Sequence, residues 1–173
     1  HNDHFGDTLA LAKKSGATVI AMVELADFVA NYGIKTHGMN IGGQFSFSFG
    51  TLKFVPALHS SSLTLEDEVI PMGLAAGLVF EINNKRIYHA GDTAFYSDMK
   101  EIAPIDIAFI PIGDNFTMGI EDAIKASEVI RAVHIIPIHY NTFPLIKQDP
   151  QFFINKLRSG HGLIPKIGES LEY

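Results

Sequence analysis

The chain has 173 residues, 47% of them apolar and 18% charged, which fits one domain with a real core and excludes a disordered polymer. A net charge of −6 without any run of Lys or Arg argues against a nucleic-acid partner, which asks for a basic stripe. There is no Cys, so any metal must be held by His and carboxylate, and no apolar run is long enough to span a bilayer.

Residues 5–15 carry apolar side chains at helical spacing (Phe5, Leu9, Ala12) and stop at Gly16. Residues 17–22 read as a short buried strand, and 24–31 as a helix ended by Gly33, with Leu25, Phe28, Val29 and Tyr32 inward. Residues 40–43 form a turn. Phe45, Phe47 and Phe49 alternate with Ser46 and Ser48, the pattern of a half-buried strand with its rings in the core. Residues 52–58 are the expected hairpin partner across a Gly50-Thr51 turn. Residues 60–73 are polar and irregular and read as loop. Residues 75–82 and 86–90 are two strands around Asn83-Asn84, a good hairpin turn. A short helix at 96–102 precedes a buried strand at 105–112. An amphipathic helix follows at 120–132, with Glu121 and Asp122 at its favourable N-terminal end. A buried strand at 134–138, a helix at 151–157 and a closing segment at 164–173 complete the chain. Mixed elements, then hairpins, then strand-helix-strand-helix suit two sheets with helices on their outer faces, an α/β (α+β) class. A Rossmann fold suits less well, because no Gly-x-Gly-x-x-Gly follows a strand.

Chemistry-bearing residues recur where strands end. The chain opens His1-Asn2-Asp3-His4, three ligand-type side chains in one tight turn that can fan them toward two adjacent points. Asp3 also suits the N-cap of a helix beginning at Phe5. His59 closes Phe54-Val55-Pro56-Ala57-Leu58. In Ala90-Gly91-Asp92-Thr93 a glycine lets the backbone turn sharply and leaves a carboxylate at a strand's C-terminal end. His139 closes Ile135-Ile136-Pro137-Ile138. Each has an ordinary reading alone, as a cap, an Asx turn or a backbone-satisfied His. Together they point to a shared site, because ligands in layered α/β folds collect just past strand ends. Asp92 is placed to bridge two ions, and neutral imidazoles suit zinc, manganese, iron or nickel. His37, in Thr36-His37-Gly38, is read as a loop residue that could reach the site edge. Asn115 and Thr117, after a strand, are candidate substrate contacts, and His89 is read as core or as a support for Asp92.

These segments resemble the metallo-β-lactamase superfamily, whose signature is His-x-His-x-Asp-His, then His, Asp and His. His1, Asp3 and His4 match the last three ligand positions of the first run, and His59, Asp92 and His139 match the other three. Closer similarity is to small bacterial and archaeal metal-dependent hydrolases akin to ascorbate-phosphate lactonase, through Ala90-Gly91-Asp92-Thr93, the 110–118 run and Pro137-Ile138-His139-Tyr140-Asn141-Thr142. The resemblance implies an αββα sandwich with two divalent metals at one edge. His1 and His59 would hold one metal, His4 and His139 the other, and Asp92 would bridge them. Asp3 would bind the second metal or orient a metal-bridging hydroxide, then take a proton. The implied substrate is a small ester, lactone or phosphodiester. The family's first signature His would fall two residues before His1. The chain is therefore expected to be one domain (1–173) lacking its first strands, with a weakened first metal site, an uncovered sheet edge and an inactive polypeptide as one outcome. A cytoplasmic location, no membrane partner and a homo-oligomer are further expectations, with a signal peptide not assessable. The competing readings are a nuclease of the same fold and a metal-binding scaffold without turnover. Against a nuclease stands the short stretch 93–138, which leaves no room for an inserted domain.

Overall fold

In this computed structural model, residues 1–172 are described. The chain opens with a single helical turn, α1 (Asn2–Phe5), and continues into α2 (Thr8–Ser15). The helix expected over 5–15 is thus broken at Gly6, whose φ of +42° leaves the helical region. Asp3 lies inside the first turn of α1 rather than at its N-cap, which is His1. Strand β1 (Val19–Met22), helix α3 (Val23–Ala30) and strand β2 (Thr36–Met39) follow, and β1 and β2 pair in parallel. His37 therefore sits in a strand, not a loop.

Strand β3 (Gln44–Phe47) pairs antiparallel with β4 (Gly50–Pro56), and the turn is Ser48-Phe49 instead of Gly50-Thr51. β3 is an edge strand of its sheet, so the expected core stripe is only partly buried: Phe47 packs against the core of Leu52 and Phe54, while Phe45 and Phe49 are nearly half exposed. The rings instead stack on one another and on His37, whose centroid is 4.4 Å from that of Phe45. The region expected as loop over 60–73 is a hairpin, β5 (Ser62–Leu65) and β6 (Glu68–Pro71). Its turn places Glu66 and Asp67 at positive φ, residues that carry a weaker turn signal than Asn-Gly.

Strands β7 (Ala76–Ile82) and β8 (Lys85–His89) form the expected hairpin, and Asn83 and Asn84 both adopt the left-handed φ that such a tight turn needs. A 3-10 turn over Ser97–Ile102 stands where a short helix was expected. It leads to β9 (Ile105–Pro111), α4 (Ile120–Val129), β10 (Ala132–Ile138), a 3-10 turn at Pro144–Ile146, α5 (Pro150–Asn155) and the two-residue β11 (His161–Gly162).

The large sheet runs β11-β10-β9-β8-β7-β4-β3. Side-chain alternation splits it between two cores. Leu52, Phe54, Leu78 and Phe80 face the β1–β2 sheet through Met22 and Met39. Val55, Val79, Tyr88, Ile105 and Ile110 face away from it, where Ala123, Ile124 and Phe153 of α4 and α5 close the opposite side. A third core of Ala12, Val29 and Ile34 seats α2 and α3 on the outer face of the small sheet. The layers are therefore helix, sheet, sheet, helix, the αββα arrangement.

Direction matters most for the site. β8, β9 and β10 are mutually parallel, and β4 runs the same way because two antiparallel steps through β7 separate it from β8. The C-terminal ends of all four strands thus share one edge. At the other edge, the Arg86 N–H donates to Asp106 Oδ2 at 2.9 Å and Lys85 Nζ approaches Oδ1 at 3.3 Å. These contacts hold the Asp106 carboxyl below the usual carboxylate range and clip β8 to β9.

Ile110, fully buried in the central strand β9, tests the core: Ile110→Ala should cost roughly 2–5 kcal/mol in denaturant unfolding. Asp106→Asn should lower stability at neutral pH. Because the folded carboxyl has the depressed pKa, the gap from wild type should shrink as pH falls through and below about 4, and unfolding across pH 3–7 measures it.

Candidate metal centre

Three of the loops that leave the shared edge each deliver one ligand-type residue, and a fourth contribution joins them. His59 lies three residues past β4, Asp92 three past β8, and His139 directly follows β10. Gly91, at φ +61°, makes the turn that puts Asp92 at the edge, and a Cβ there would sit 3.2 Å from the Ala76 carbonyl. His139 itself has φ +55°, strained for a residue with a Cβ. Gly113, after β9, makes room for it, since a Cβ at 113 would collide with the His139 carbonyl.

The fourth contribution comes from far away in sequence. The Asn2 side chain donates to the Thr64 carbonyl at 2.9 Å and accepts from the Thr64 N–H at 2.8 Å. This two-point clamp seats α1 on β5, and the turn of α1 aims His1, Asp3 and His4 at the strand edge. A clamp by the residue between two ligands was not expected from the sequence, and neither was the strand that receives it.

The Asp92 carboxylate is the meeting point. His4 Nε2 lies 3.1 Å and His59 Nε2 3.5 Å from Oδ2, while His139 Nε2 lies 3.4 Å from Oδ1. Asp3 Oδ2 stands 3.6 Å from His4 Nε2 and 3.5 Å from His139 Nε2. The His1 and His59 rings are 5.2 Å apart on one side, and those of His4 and His139 5.3 Å apart on the other. Two pairs of rings thus flank one carboxylate.

These distances test whether a cation fits. Most are too long for charge-assisted hydrogen bonds, which run near 2.7–2.9 Å. They match instead the edge of a ligand tetrahedron, about 3.3–3.4 Å when four donors lie about 2.0–2.1 Å from a metal. Asp92 Oδ1 is buried and has no hydrogen-bond partner. The ligand atoms of Asp3, His4 and His139 all lie within 4.8 Å of one another. A donor set of imidazole nitrogens and carboxylate oxygens, with one buried oxygen unused, fits a divalent ion.

Burial would raise the Asp92 pKa, but the His4 hydrogen bond and the charges of His4, His139 and His59 outweigh it and hold the carboxyl below its usual range. The same hydrogen bond to Asp92 raises the His4 imidazole against the opposing pull of burial. Burial lowers the pKa of His89, which sits behind the site with its Nδ1 accepting from the Gly91 N–H at 3.1 Å. His1 Nε2 meets Ser60 Oγ at 2.9 Å, so a serine of the 60–62 run bonds a ligand-type residue. Thr93 is fully buried, accepts from the Leu58 N–H at 3.0 Å and donates to the Ala94 carbonyl at 2.8 Å, tying the His59 loop to the Asp92 loop. Its only sequence signal was its place after Gly-Asp.

The candidate substrate contacts separate from the cleft over Asp92. His37 packs on Phe45 and Phe47, Asn115 is exposed, and Thr117 is partly buried; the residue between them, Phe116, lines the cleft with Phe143. Neither phenylalanine was singled out from sequence.

A family model described as the beta-lactamase superfamily domain matches residues 1–140. The chain belongs to the metallo-β-lactamase superfamily. It is 53% identical to a UPF0173 metal-dependent hydrolase of Shouchella clausii over 99% of this chain and 78% of the relative. It is also 53% identical to one of Staphylococcus aureus over 100% of this chain and 79% of the relative, and it belongs to this metal-dependent hydrolase family. Among solved structures, Igni18, a metallo hydrolase of the archaeon Ignicoccus hospitalis, superposes with a TM-score of 0.89 at 32% identity, covering 99% of this chain and 75% of that one.

Two substitutions test the supports rather than the ligands. Thr93→Val strands a backbone N–H and a carbonyl, and should cost about 1–3 kcal/mol of stability. Asn2→Ala should leave stability nearly unchanged but weaken zinc or manganese binding by roughly tenfold or more, read by calorimetric titration.

Proposed function

We propose that this chain hydrolyses a small ester, lactone or phosphodiester at a centre of two divalent metals held by His1, Asp3, His4, His59, Asp92 and His139. The observation that supports this most is the approach of three imidazole Nε2 atoms and the Asp3 carboxylate to and around the largely covered Asp92 carboxylate, at ligand-edge spacing. When bound there, divalent metals would supply Lewis acidity and an acidified water near neutral pH.

The chain's own residues do the rest. The Asp92 side chain is 10% exposed and faces His4, His59 and His139, so it can serve both halves of the site. The Asp3 side chain is 59% exposed and lies on the open side, where its Oδ2 can orient the attacking water and accept its proton. The site needs no covalent nucleophile, and Ser60 is engaged with His1. A small molecule is the favoured substrate over nucleic acid: the chain is acidic, and no Lys or Arg lines the cleft among the described residues. Among the described residues, no helix is long and apolar enough to cross a membrane.

With zinc or manganese, the chain should turn over bis(p-nitrophenyl) phosphate or a simple lactone. Asp92→Ala should keep the circular dichroism spectrum, lose bound metal by elemental analysis, and lose on the order of a hundredfold or more in kcat/KM. Unchanged turnover in Asp92→Ala would remove the reading.

A further inference from the structure

We propose that Phe116 and Phe143 form an aromatic wall that binds the apolar acyl or aryl group of an ester or lactone. The inference rests on the hydrolase reading above and narrows its substrate class. The cleft over Asp92 and His139 has a volume of about 460 Å³ and is lined by Asp3, Asp92 and the imidazoles of His1, His59 and His139 together with these two rings.

Both rings are large apolar surfaces left in solvent, Phe116 49% and Phe143 39% exposed. Their centroids are 6.2 Å apart and their planes tilted by 50°, the spacing of an aromatic pair with its outer faces free. Neither sits on a loose loop. Around Phe116, the Asp114 N–H donates to the Met118 carbonyl at 3.0 Å, the Thr117 N–H to the Asp114 carbonyl at 3.0 Å, and the Met118 N–H to the Thr93 carbonyl at 3.1 Å. Around Phe143, the Asn141 N–H donates to the Ile146 carbonyl at 2.9 Å and the Ile146 N–H to the Phe143 carbonyl at 3.2 Å. The Gln148 N–H adds a bond to Asn141 Oδ1 at 2.8 Å. The rings are held in place beside the reacting centre, so little ordering is required when an apolar group docks on them.

Among the described residues lining the cleft there is no Lys or Arg, so the part of a substrate that lies away from the ligand-type residues meets the two rings rather than a cationic side chain. Lys147 belongs to an adjoining hollow that shares Phe143, where Asp149 accompanies it. A carbonyl compound can place its carbonyl toward the acids and imidazoles and its apolar group on the rings.

The test uses straight-chain carboxylates, from acetate to octanoate, titrated calorimetrically into the zinc-loaded chain as product probes. Binding should tighten about twofold to fourfold per added methylene over the first few carbons. The Phe116→Ala/Phe143→Ala double variant should lose most of that gradient. Phe152→Ala, which removes a comparably exposed ring on α5, should keep it. In parallel, kcat/KM for p-nitrophenyl esters should rise with acyl length in the wild type and flatten in the double variant. A wild-type chain with no length gradient, or the same gradient in the double variant, overturns the proposal. A carboxylate gradient without turnover of any ester would leave the wall standing and remove the hydrolase reading. Ester turnover without a gradient would do the reverse.

Discussion

The site depends on strand direction. β4, β8, β9 and β10 all point the same way, so the loops carrying His59, Asp92, Phe116 and His139 emerge at one edge. In a sheet the side chains alternate between faces and are consumed by the two cores. Only the loops beyond the strand ends are free to turn several ligands toward one point. Reversing any one of these strands would move its functional group to the opposite edge of the sheet.

That edge supplies only part of the set. The remaining ligand-type residues ride on α1, a helical turn too short to be stable by itself. Its position comes from the Asn2 clamp to β5 and from Phe5, which packs with Leu9, Leu25 and Phe28 against the helix-side core. The hairpin of β5 and β6 is therefore more than a connection between His59 and the large sheet. It is the platform that brings the first residues of the chain to the last strand ends.

Electrostatics then explains why the cluster is held together tightly. Placing a carboxylate at the bottom of a cleft is costly unless positive charge or hydrogen-bond donors compensate it. The imidazoles around Asp92 provide that, and a divalent ion would do so more strongly. The strained backbone at His139 fits the same picture, because an unfavourable φ persists only where surrounding structure over-determines it. Here the neighbouring Gly113 and the hydrogen-bonded 141–146 turn fix it.

The residue types and their rhythm made the ligand-type residues readable in advance. His59, Asp92 and His139 each stood at or just past the end of a strand-like run, and His1, Asp3 and His4 clustered in one turn. The Asn83-Asn84 hairpin was legible for a similarly local reason, since that turn needs two residues that tolerate positive φ. The β5–β6 hairpin was not, because Glu-Asp is an ordinary solvated pair until the flanking strands force it into a turn. Phe45 and Phe49 were misplaced, unlike Phe47, because alternation says that one face is shared, but not whether anything covers it, and β3 lies at the sheet's edge. Asn2, Phe116 and Phe143 were not singled out, and Thr93 showed only its place after Gly-Asp, as their roles exist only through partners distant in the chain. By itself the sequence determined which chemistry was available and where strands would end, since these follow from local side-chain properties. Only the tertiary structure decided which ends share an edge and what lines the cleft beside the acids, because strand order and direction are set by long-range packing.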